Sequence, residues 1–301
     1  MAFEVPGYAL QELIGRGGMA EVHRATVTAG PHVGRNVAVK QLLPELARDA
    51  DYLALFEREA ELTRRLQHPA IVEVLDAGVA GGVPFIAMEY VDGRNLKEIL
   101  AVCAARHILL PIDFACYLAH QLAGALAHAH EGRDAQGRAL GVVHCDVSPS
   151  NVFISRLGEI ELGDFGVALP TGAGPLPGGA FGKIRYLAPE QILGRRPGPP
   201  ADVFALGSVF FELLTNAHAF PGKDVNEVGQ RILAGKLRAP SSVRPEIPAA
   251  LDVLLLRSLD PEPAGRPTAA AFAAEIAGGY DPAVGTPLAI AAVVRGLFGA
   301  R

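Results

Sequence analysis

The chain has 301 residues, enough for one large domain or for two lobes that share a cleft. Hydrophobic residues make up 50% of it, which predicts a substantial core and excludes wholesale disorder. The formal net charge of −5 argues against a broad nucleic-acid-binding face, so we expect no nucleic-acid partner.

The first part of the chain predicts two strands joined by a glycine-rich turn. Residues 8–14 and 20–28 alternate in hydrophobicity, and Gly15, Gly17 and Gly18 lie between them. Such glycines let backbone N–H groups approach a phosphate, because no Cβ stands in the way. They also suit an ordinary flexible hairpin, so the turn alone does not establish phosphate binding.

A lysine and a glutamate each interrupt an apolar pattern. Residues 37–40 predict a short strand whose Lys40 must either reach solvent or meet an anion. Residues 51–66 predict a helix on which Glu59 shares one face with leucines three or four positions away. An ion pair between Lys40 and Glu59 would satisfy both charges.

Strands and helices are unevenly distributed along the chain. Two more strands are predicted at residues 71–75 and 85–91, which completes five strands and one helix in the first 91 residues. The remainder is mainly helical, with helices expected at residues 95–105, 112–131, 199–215, 224–235, 248–258 and 268–276. Gly- and Pro-rich segments at 170–182 and 194–200 predict irregular surface structure.

Two polar segments carry residues suited to catalysis. Residues 142–151 read Val-Val-His-Cys-Asp-Val-Ser-Pro-Ser-Asn and contain Asp146 and Asn151. A Gly-Asp-Phe-Gly turn that carries Asp164 follows. Carboxylate and amide oxygens suit a hard cation, and a carboxylate can also accept a proton. These segments therefore suit an active site that holds metal-bound phosphate.

Two further polar features have more ordinary explanations. Asp202 lies in the apolar helix predicted at 199–215, and its carboxylate can either cap that helix or hold the backbone of residues 142–151. The histidines of the helix at 112–131 have no acidic or cysteine partner nearby in the sequence. We expect them to be packed or capping residues and not metal ligands.

Taken in order, these motifs resemble those of protein kinases, and specifically of the bacterial eukaryotic-like Ser/Thr protein kinases. The resemblance covers about residues 8–276 and includes an Ala-Pro-Glu motif and a Gly-Arg-Pro-Thr motif, whose Glu190 and Arg266 would pair. It implies an α+β, bilobal protein kinase fold with ATP in the cleft. The parts would be a small β-rich N-lobe with one key helix (1–91), a larger helical C-lobe (92–280) and a C-terminal tail helix (281–301).

The same resemblance implies a role for each site residue. Lys40 would grip the α- and β-phosphates of ATP with Glu59 as its partner, and Asp146 would accept the substrate hydroxyl proton. Asn151 and Asp164 would bind Mg²⁺. The other residues expected around ATP are Gly15, Gly17, Gly18, Val22, Ala38, Met88, Glu89, Val91 and Phe153.

Three departures from the family pattern concern phosphate handling and substrate choice. Ala20 replaces the third loop glycine, a small change that nucleotide binding should survive. Ser148 stands where these kinases usually carry a lysine that contacts the transferring phosphate, so one electrostatic donor is missing. Lys183 replaces the threonine of the usual Gly-Thr-Pro, which weakens the assignment to Ser/Thr substrates. We hypothesise that Lys183 supplies the missing charge.

A fourth departure concerns regulation. Cys145 stands where the family usually has an arginine that pairs with a phosphorylated activation-loop residue. Between residues 165 and 187 the only Ser or Thr is Thr171, far from the Ala-Pro-Glu motif. Because receptor and donor of the usual phospho-switch are both missing, we predict activity independent of activation-loop phosphorylation. Cys145 itself suits a buried small side chain or a redox-sensing thiol.

Three functions remain open. The first is a protein kinase that transfers the γ-phosphate of ATP to Ser or Thr hydroxyls of a protein substrate. It is favoured because all five core chemical residues are present, namely Lys40, Glu59, Asp146, Asn151 and Asp164. The second is an ATP-binding pseudokinase that acts as a scaffold or regulatory binding protein, crippled at Ser148 and Lys183. The third, a small-molecule kinase, is disfavoured by the Tyr-Leu-Ala-Pro-Glu-Gln and Gly-Arg-Pro-Thr motifs.

The end of the chain predicts one more helix, from the Thr286-Pro287 capping signal to about Phe298. Its nearly all-apolar face predicts docking on the large lobe or binding to a partner. No segment reaches the roughly 18–20 apolar residues that span a bilayer, so no membrane partner is expected. Three cysteines without a CxxC motif, and an N-terminus without a signal pattern, predict a cytoplasmic protein.

Overall fold

The structure is a computed structural model that describes residues 4–134, 136–165, 180–281 and 285–299. The chain divides into two units. The first unit comprises Met1–Gln67 and Val72–Val91, and the second comprises His68–Ile71 and Asp92–Arg301. The first unit is built on a β-sheet and the second is mainly helical, which confirms the α+β class expected from the sequence.

The first unit is a five-stranded antiparallel sheet with one helix. The strands are β1 (Tyr8–Arg16), β2 (Ala20–Val27), β3 (Asn36–Leu42), β4 (Val74–Ala80) and β5 (Val83–Glu89). Their order across the sheet is β1-β2-β3-β5-β4. Helix α1 (Ala50–Thr63) starts at Asp49, whose side chain accepts a hydrogen bond from the Asp51 backbone N–H and so satisfies one exposed helix donor.

The alternation of β3 places its side chains in two different clusters. Val37 and Val39 belong to the core on one face of the sheet. Leu42 belongs to the core on the other face, where Phe56 and Ala60 of α1 pack. Because side chains alternate along a strand, Lys40 projects from the same face as Leu42. The strand therefore directs its one lysine toward the helix.

The strand predicted at residues 71–75 is only partly confirmed, because residues 71–73 lie outside the strand. Strand β4 begins at Val74, and Ile71 instead forms an isolated parallel bridge with Leu162 within the second unit. The backbone N–H of Leu162 also donates to the carbonyl of Ala70 at 2.9 Å. Ala70 and Ile71 thus belong to the second unit, and the apolar run that begins at Ile71 is not one continuous strand of the first.

The second unit combines helices with a small sheet. Strands β6 (Gly93–Asn95), β7 (Val152–Ser155) and β8 (Ile160–Leu162) pair in that order. The helices are α2 (Leu96–Arg106), α3 (Ile112–Glu131), α4 (Ala180–Lys183), α5 (Pro189–Ile192), α6 (Pro199–Thr215), α7 (Val225–Leu233), α8 (Ala249–Ser258), α9 (Ala269–Ala277) and α10 (Pro287–Phe298). The longer helices confirm the sequence prediction to within about two residues; the small sheet, α4 and α5 were not predicted.

Helix α6 forms the centre of the second unit. It is buried along most of its length, and the aromatic side chains of Phe204, Phe210 and Phe211 are fully buried. Phe204 stacks on Phe220, and Phe210 meets Phe272 of α9 edge to face. This packing fixes α6, and with it the buried aspartate in its first turn.

Helix α10 packs against α2 inside the second unit. Its Ile290 and Leu297 are buried, and Arg106 of α2 donates to the carbonyl of Leu297 at 2.8 Å. The Arg94 guanidinium lies over the Phe298 ring at 4.9 Å from its centroid. The apolar face of the tail helix is therefore covered by its own chain. No helix in the described ranges is long and apolar enough to cross a membrane.

Candidate active site

Lys40 and Glu59 form an ion pair in the first unit, as the sequence predicted. Lys40 Nζ lies 2.6 Å from Glu59 Oε1, and both side chains are largely buried. Lys40 lies on strand β3, and Glu59 lies on helix α1. A partly buried pair with so short a contact holds the ammonium in one place, which suits a cation that must meet phosphate.

The predicted nucleotide-contacting residues of the sheet are neighbours across its strands. Val22 of β2 lies directly opposite Lys40, and Ala38 lies directly opposite Met88 of β5. Directly opposite residues share a face of the sheet, and Ala38 shares the face of Lys40 because they are two positions apart. Three predicted contact residues and the lysine therefore lie on one face.

The other predicted nucleotide-contacting residues of the first unit lie at two places, the turn between β1 and β2 and the end of β5. The glycine-rich turn joins β1 to β2, where the Gly17 N–H donates to the Ala20 carbonyl at 2.8 Å, and an added Cβ on Gly18 would meet nothing within 4 Å. At the end of β5, Glu89 donates its N–H to the Glu73 carbonyl at 2.9 Å. Val91 is the last residue of the unit.

In the second unit, Asp202 holds the backbone of residues 142–151, called here the catalytic segment. Its carboxylate accepts the N–H of His144 at 2.8 Å and the N–H of Cys145 at 2.7 Å. His130 Nε2 lies 2.8 Å from the same carboxylate. Cys145 has a positive φ of 64°, a conformation that costs energy for a non-glycine residue and persists because its surroundings fix it. Of the two roles expected for Asp202, capping its helix or holding the backbone of residues 142–151, the structure shows the second.

His144 links the catalytic segment to the turn that carries Asp164. The ring is fully buried, its Nε2 lies 3.1 Å from the carbonyl of Gly163, and its Nδ1 accepts the Asp146 N–H at 3.2 Å. Burial is the main reason that the pKa of His144 is lowered, against the opposing effect of nearby carboxylates. The neutral ring keeps a lone pair on Nδ1, which is what the Asp146 N–H needs.

The Asp146 carboxylate is positioned by two donors. Asn151 Nδ2 donates to the Asp146 carbonyl at 2.9 Å and to Oδ2 at 3.0 Å. Lys183 Nζ lies 2.5 Å from the same Oδ2. Among the described residues, both side-chain donors to this carboxylate contact Oδ2. The arrangement fixes the carboxylate and keeps Oδ1 as the oxygen that can take a proton.

Asn151 and Asp164 provide oxygen donors that fit Mg²⁺. The Gly163 N–H donates to the Asn151 carbonyl at 2.9 Å, which ties the two segments together beside Asp164. Because Asn151 uses its Nδ2 on Asp146, its Oδ1 is an acceptor on the other side of the amide, where the Ser150 hydroxyl donates to it at 3.5 Å. In the described ranges no three His, Cys, Asp or Glu side chains form a metal cage. Two protein oxygens suit a hard cation that keeps waters and phosphate oxygens.

The two unusual loop residues have local partners. Ser148 is buried, and its hydroxyl lies 3.0 Å from that of Ser150. The Cys145 thiol points to the Val143 carbonyl at 3.5 Å. The backbone carbonyl of Cys145 accepts from Gln191 Nε2 of α5 at 2.9 Å, a contact that sequence reasoning missed. Thr171 lies outside the described residues.

The predicted pair of Glu190 and Arg266 is present and buried. Arg266 Nη1 lies 2.7 Å from Glu190 Oε1, and Nη2 lies 2.9 Å from Oε2. The Arg266 side chain is 0% exposed and that of Glu190 9%. This bidentate pair fixes the start of α5, just after the segment that carries Lys183.

Phe153 lies on β7, opposite Glu161 of β8, immediately after the turn that carries Asn151. The small sheet thus brings the predicted nucleotide-contacting residue of the second unit next to the predicted metal ligands. Strands of three or four residues leave too short a pattern to be read from sequence, which is why this sheet was not expected.

Comparison with known proteins places these motifs in one family. The model of the family described as "Protein kinase domain" matches residues 8–275. Tyrosine-protein kinase MasK of Myxococcus xanthus is 35% identical over 269 residues, covering 88% of this chain and 42% of that protein. Serine/threonine-protein kinase PrkC of Bacillus subtilis is 31% identical, covering 91% of this chain and 40% of that protein. The chain thus spans less than half the length of these curated relatives.

A solved structure shows the same architecture. The crystal structure of the Mycobacterium tuberculosis PknI kinase domain matches with a TM-score of 0.67 and 30% identity. The match covers 92% of this chain and 96% of that domain. The expected fold, with a β-sheet N-lobe and a helical C-lobe, is confirmed by this agreement.

Proposed function

Because the chain belongs to the protein kinase domain family, we propose that it transfers the γ-phosphate of ATP to Ser or Thr hydroxyls of protein substrates. The observation that carries this proposal is the Asp146 carboxylate, fixed through Oδ2 by Asn151 and Lys183. A carboxylate held in this way orients a hydroxyl and accepts its proton. No observation favours the pseudokinase alternative, since all five core residues are present.

The roles of the residues follow from their contacts. Lys40, held by Glu59, would bind the α- and β-phosphates of ATP, and the backbone of the glycine-rich turn would cover the phosphates. Asn151 and Asp164 would hold Mg²⁺, which when bound neutralises phosphate charge. Asp146 orients the substrate hydroxyl and takes its proton at Oδ1 as the oxygen attacks phosphorus.

The remaining predicted contacts would position the adenine. Val22, Ala38 and Met88 present apolar atoms on one face of the first-unit sheet. The Glu89 carbonyl and the Val91 backbone would hydrogen-bond the base, and Phe153 would give it a further apolar contact. We also propose the division into an N-lobe (1–91), a C-lobe (92–280) and a tail helix (281–301).

The substrate class rests on relatives as well as on geometry. PrkC is named a serine/threonine-protein kinase, whereas MasK is named a tyrosine-protein kinase. Lys183 occupies the place of a threonine typical of Ser/Thr kinases. Tyrosine phosphorylation is therefore the second candidate, and the test of function must identify the phosphorylated amino acid.

The wild-type chain is expected to transfer radiolabel from γ-labelled ATP to a protein acceptor, and Asp164→Ala is expected to abolish the transfer. The reason is that Asp164 supplies a carboxylate for Mg²⁺ bound to phosphate. Acid hydrolysis of the product should release labelled phosphoserine or phosphothreonine. Glu246→Ala, which removes a carboxylate that is 72% exposed, is the matched control and should keep full activity.

Two results would contradict this proposal. Phosphotyrosine as the sole labelled product would keep the kinase reaction and change the substrate class. Magnesium-dependent ATP binding without any transfer by the wild type would support the pseudokinase instead.

We further propose that activity does not depend on activation-loop phosphorylation. Cys145 offers a thiol aimed at a backbone carbonyl where an arginine would receive a phosphate. Arg185, the one arginine between residues 165 and 187, donates to the backbone carbonyls of Phe220 and Gly222 at 3.4 Å. The described side-chain contacts of Cys145 and Arg185 are thus made with backbone carbonyls of the protein.

Treatment with a phosphatase is therefore expected to leave turnover unchanged. The measurement is the initial rate of label transfer before and after treatment, with complete dephosphorylation verified by mass spectrometry. Thr171→Ala serves as the matched variant and should behave like the treated wild type. A large loss of rate in either sample would contradict the proposal.

A further inference from the structure

The catalytic segment of this chain contains no cation of its own. Residues 142–151 include neither Lys nor Arg. During phosphoryl transfer negative charge spreads over the oxygens of the moving group, and cations aimed at those oxygens stabilise the transition state. A kinase of the proposed function therefore needs a positive charge beside Asp146 from another part of the chain.

Lys183, the last residue of α4, supplies a positive charge at that place. Its Nζ lies 2.5 Å from Asp146 Oδ2. Asp146 orients the substrate hydroxyl, and that hydroxyl must lie next to the γ-phosphorus that it attacks. An ammonium in contact with the Asp146 carboxylate is therefore also close to the transferring phosphoryl group. The Lys183 side chain is 52% exposed, which leaves it accessible to an arriving phosphate.

The residues that follow Lys183 hold it in position. Ile184 is buried, and the Tyr186 hydroxyl donates to Glu212 Oε2 of α6 at 2.6 Å. Arg185 donates to two backbone carbonyls of the loop after α6. An electrostatic donor is most effective when its position is fixed before the reaction. The short helical turn carrying Lys183 is thus anchored on the helix at the centre of the second unit.

No other described cation takes this position. Among the described residues, Lys183 is the one Lys or Arg whose side chain contacts the Asp146 carboxylate. Arg266 is buried against Glu190, and Arg185 points to backbone carbonyls. Ser148 cannot serve, because a serine hydroxyl carries no charge and this one lies against Ser150.

We infer that Lys183 is a catalytic residue that neutralises the transferring phosphoryl group, a role that rests on the proposed kinase function. In that step the substrate hydroxyl oxygen bonds to the γ-phosphorus while the bond from phosphorus to the β,γ-bridging oxygen breaks. ADP leaves with that electron pair, and the hydroxyl proton passes to Asp146. Lys183, held beside Asp146, presents its ammonium to an oxygen of the moving group and stabilises its charge.

Lys183→Ala is expected to lower kcat by about 10²–10³-fold, the usual effect of removing one transition-state donor. KM for ATP should change little, since the interaction forms in the transition state. Lys183→Arg keeps the charge and should keep much of the rate. Lys236→Ala, which removes an exposed lysine of the same unit, is the matched control and should leave kcat unchanged.

A second variant moves the charge instead of removing it. Ser148→Lys combined with Lys183→Ala returns an ammonium to the catalytic segment beside Asp146. We expect this double variant to recover much of the kcat lost in Lys183→Ala. A purely structural role of Lys183 would not produce such a recovery, because the anchoring of residues 184–186 is the same in both variants.

The outcomes separate this inference from the proposed function. An active wild type whose kcat is unchanged in Lys183→Ala would overturn the role of Lys183 and leave the kinase function standing. A higher kcat in Lys183→Ala would overturn it too, because the lysine would then be blocking the base. A loss relieved neither by arginine nor by the double variant would reduce Lys183 to a structural residue. Absence of transfer by the wild type would overturn the proposed function itself.

Discussion

Replacing Asp146 with asparagine is expected to lower kcat by about 10²–10⁴-fold, the range that one positioned general base contributes. The amide has nearly the shape of the carboxylate but cannot take the proton of a substrate hydroxyl. Asn151 and Lys183 contact Oδ2 of the carboxylate, so the substitution also removes the charge that balances the lysine. The rate should fall although the loop keeps its backbone contacts with Asp202.

Affinity for ATP should be nearly unchanged in Asp146→Asn, because the proposed phosphate contacts lie on Lys40 and on the metal ligands. Steady-state kinetics would give kcat and KM, and isothermal titration calorimetry would give the dissociation constant for ATP with magnesium. Glu246→Gln makes the same chemical change at an exposed position and should match the wild type. A kcat within tenfold of the wild type, or a parallel loss of ATP affinity, would count against Asp146 as the base.

Two ion pairs of this protein, both largely buried, could be predicted from the sequence on different grounds. Glu59 on an apolar stripe and Lys40 in an apolar strand each lacked a local partner, and the structure brings them to 2.6 Å. Glu190 and Arg266 were paired from the family pattern and form a bidentate contact. In the first case the need of a buried charge for a partner limited the possible partners to very few, whereas the second pair came from the resemblance alone.

The contacts of Asp202 show where sequence reasoning stopped. An aspartate in the first turn of a helix can either cap that helix or accept hydrogen bonds from a distant part of the chain. Its actual partners, the N–H groups of His144 and Cys145, lie 58 and 57 residues away. Such a choice depends on how α6 packs in the second unit, which no local pattern encodes. The strand predicted at residues 71–75 starts three residues later for the same reason, since Ile71 pairs with Leu162 instead.

Lys183 shows the opposite case, in which an anomaly in the sequence pointed to a contact. The absence of a cation near Ser148 and the presence of one in the later segment suggested a connection between them. The structure places Lys183 against the Asp146 carboxylate. What the sequence could not supply is the anchoring by Tyr186 and Glu212, which determines where the lysine is held.

Replacing Glu190 with alanine is expected to lower the free energy of unfolding by about 3–5 kcal/mol, because it leaves the buried Arg266 charge without its anion. The Arg266 side chain is 0% exposed, so bulk solvent does not screen its charge. Its guanidinium also donates to the carbonyls of Asp260, Pro200 and Pro261. Those neutral partners would hold the side chain in place without compensating its charge.

Urea denaturation followed by circular dichroism measures this effect, and the chain offers a matched control. Arg257 and Glu275 form a similar two-contact pair at 3.1 Å, but the side chains are 46% and 40% exposed. Glu275→Ala should therefore change the free energy of unfolding by about 0–1 kcal/mol. A loss below about 1 kcal/mol in Glu190→Ala would contradict the assignment of a large effect to burial.

A double variant tests whether uncompensated charge is the cause. Glu190→Ala with Arg266→Met removes both charges and keeps an apolar side chain beside Phe204, over whose ring the guanidinium lies at 5.0 Å. If the stability loss in Glu190→Ala comes from the unbalanced arginine, the double variant should be more stable than the single one. If the loss comes from the packing of the glutamate, the double variant should be no better. The comparison thus separates charge from shape at the residue that fixes the start of α5.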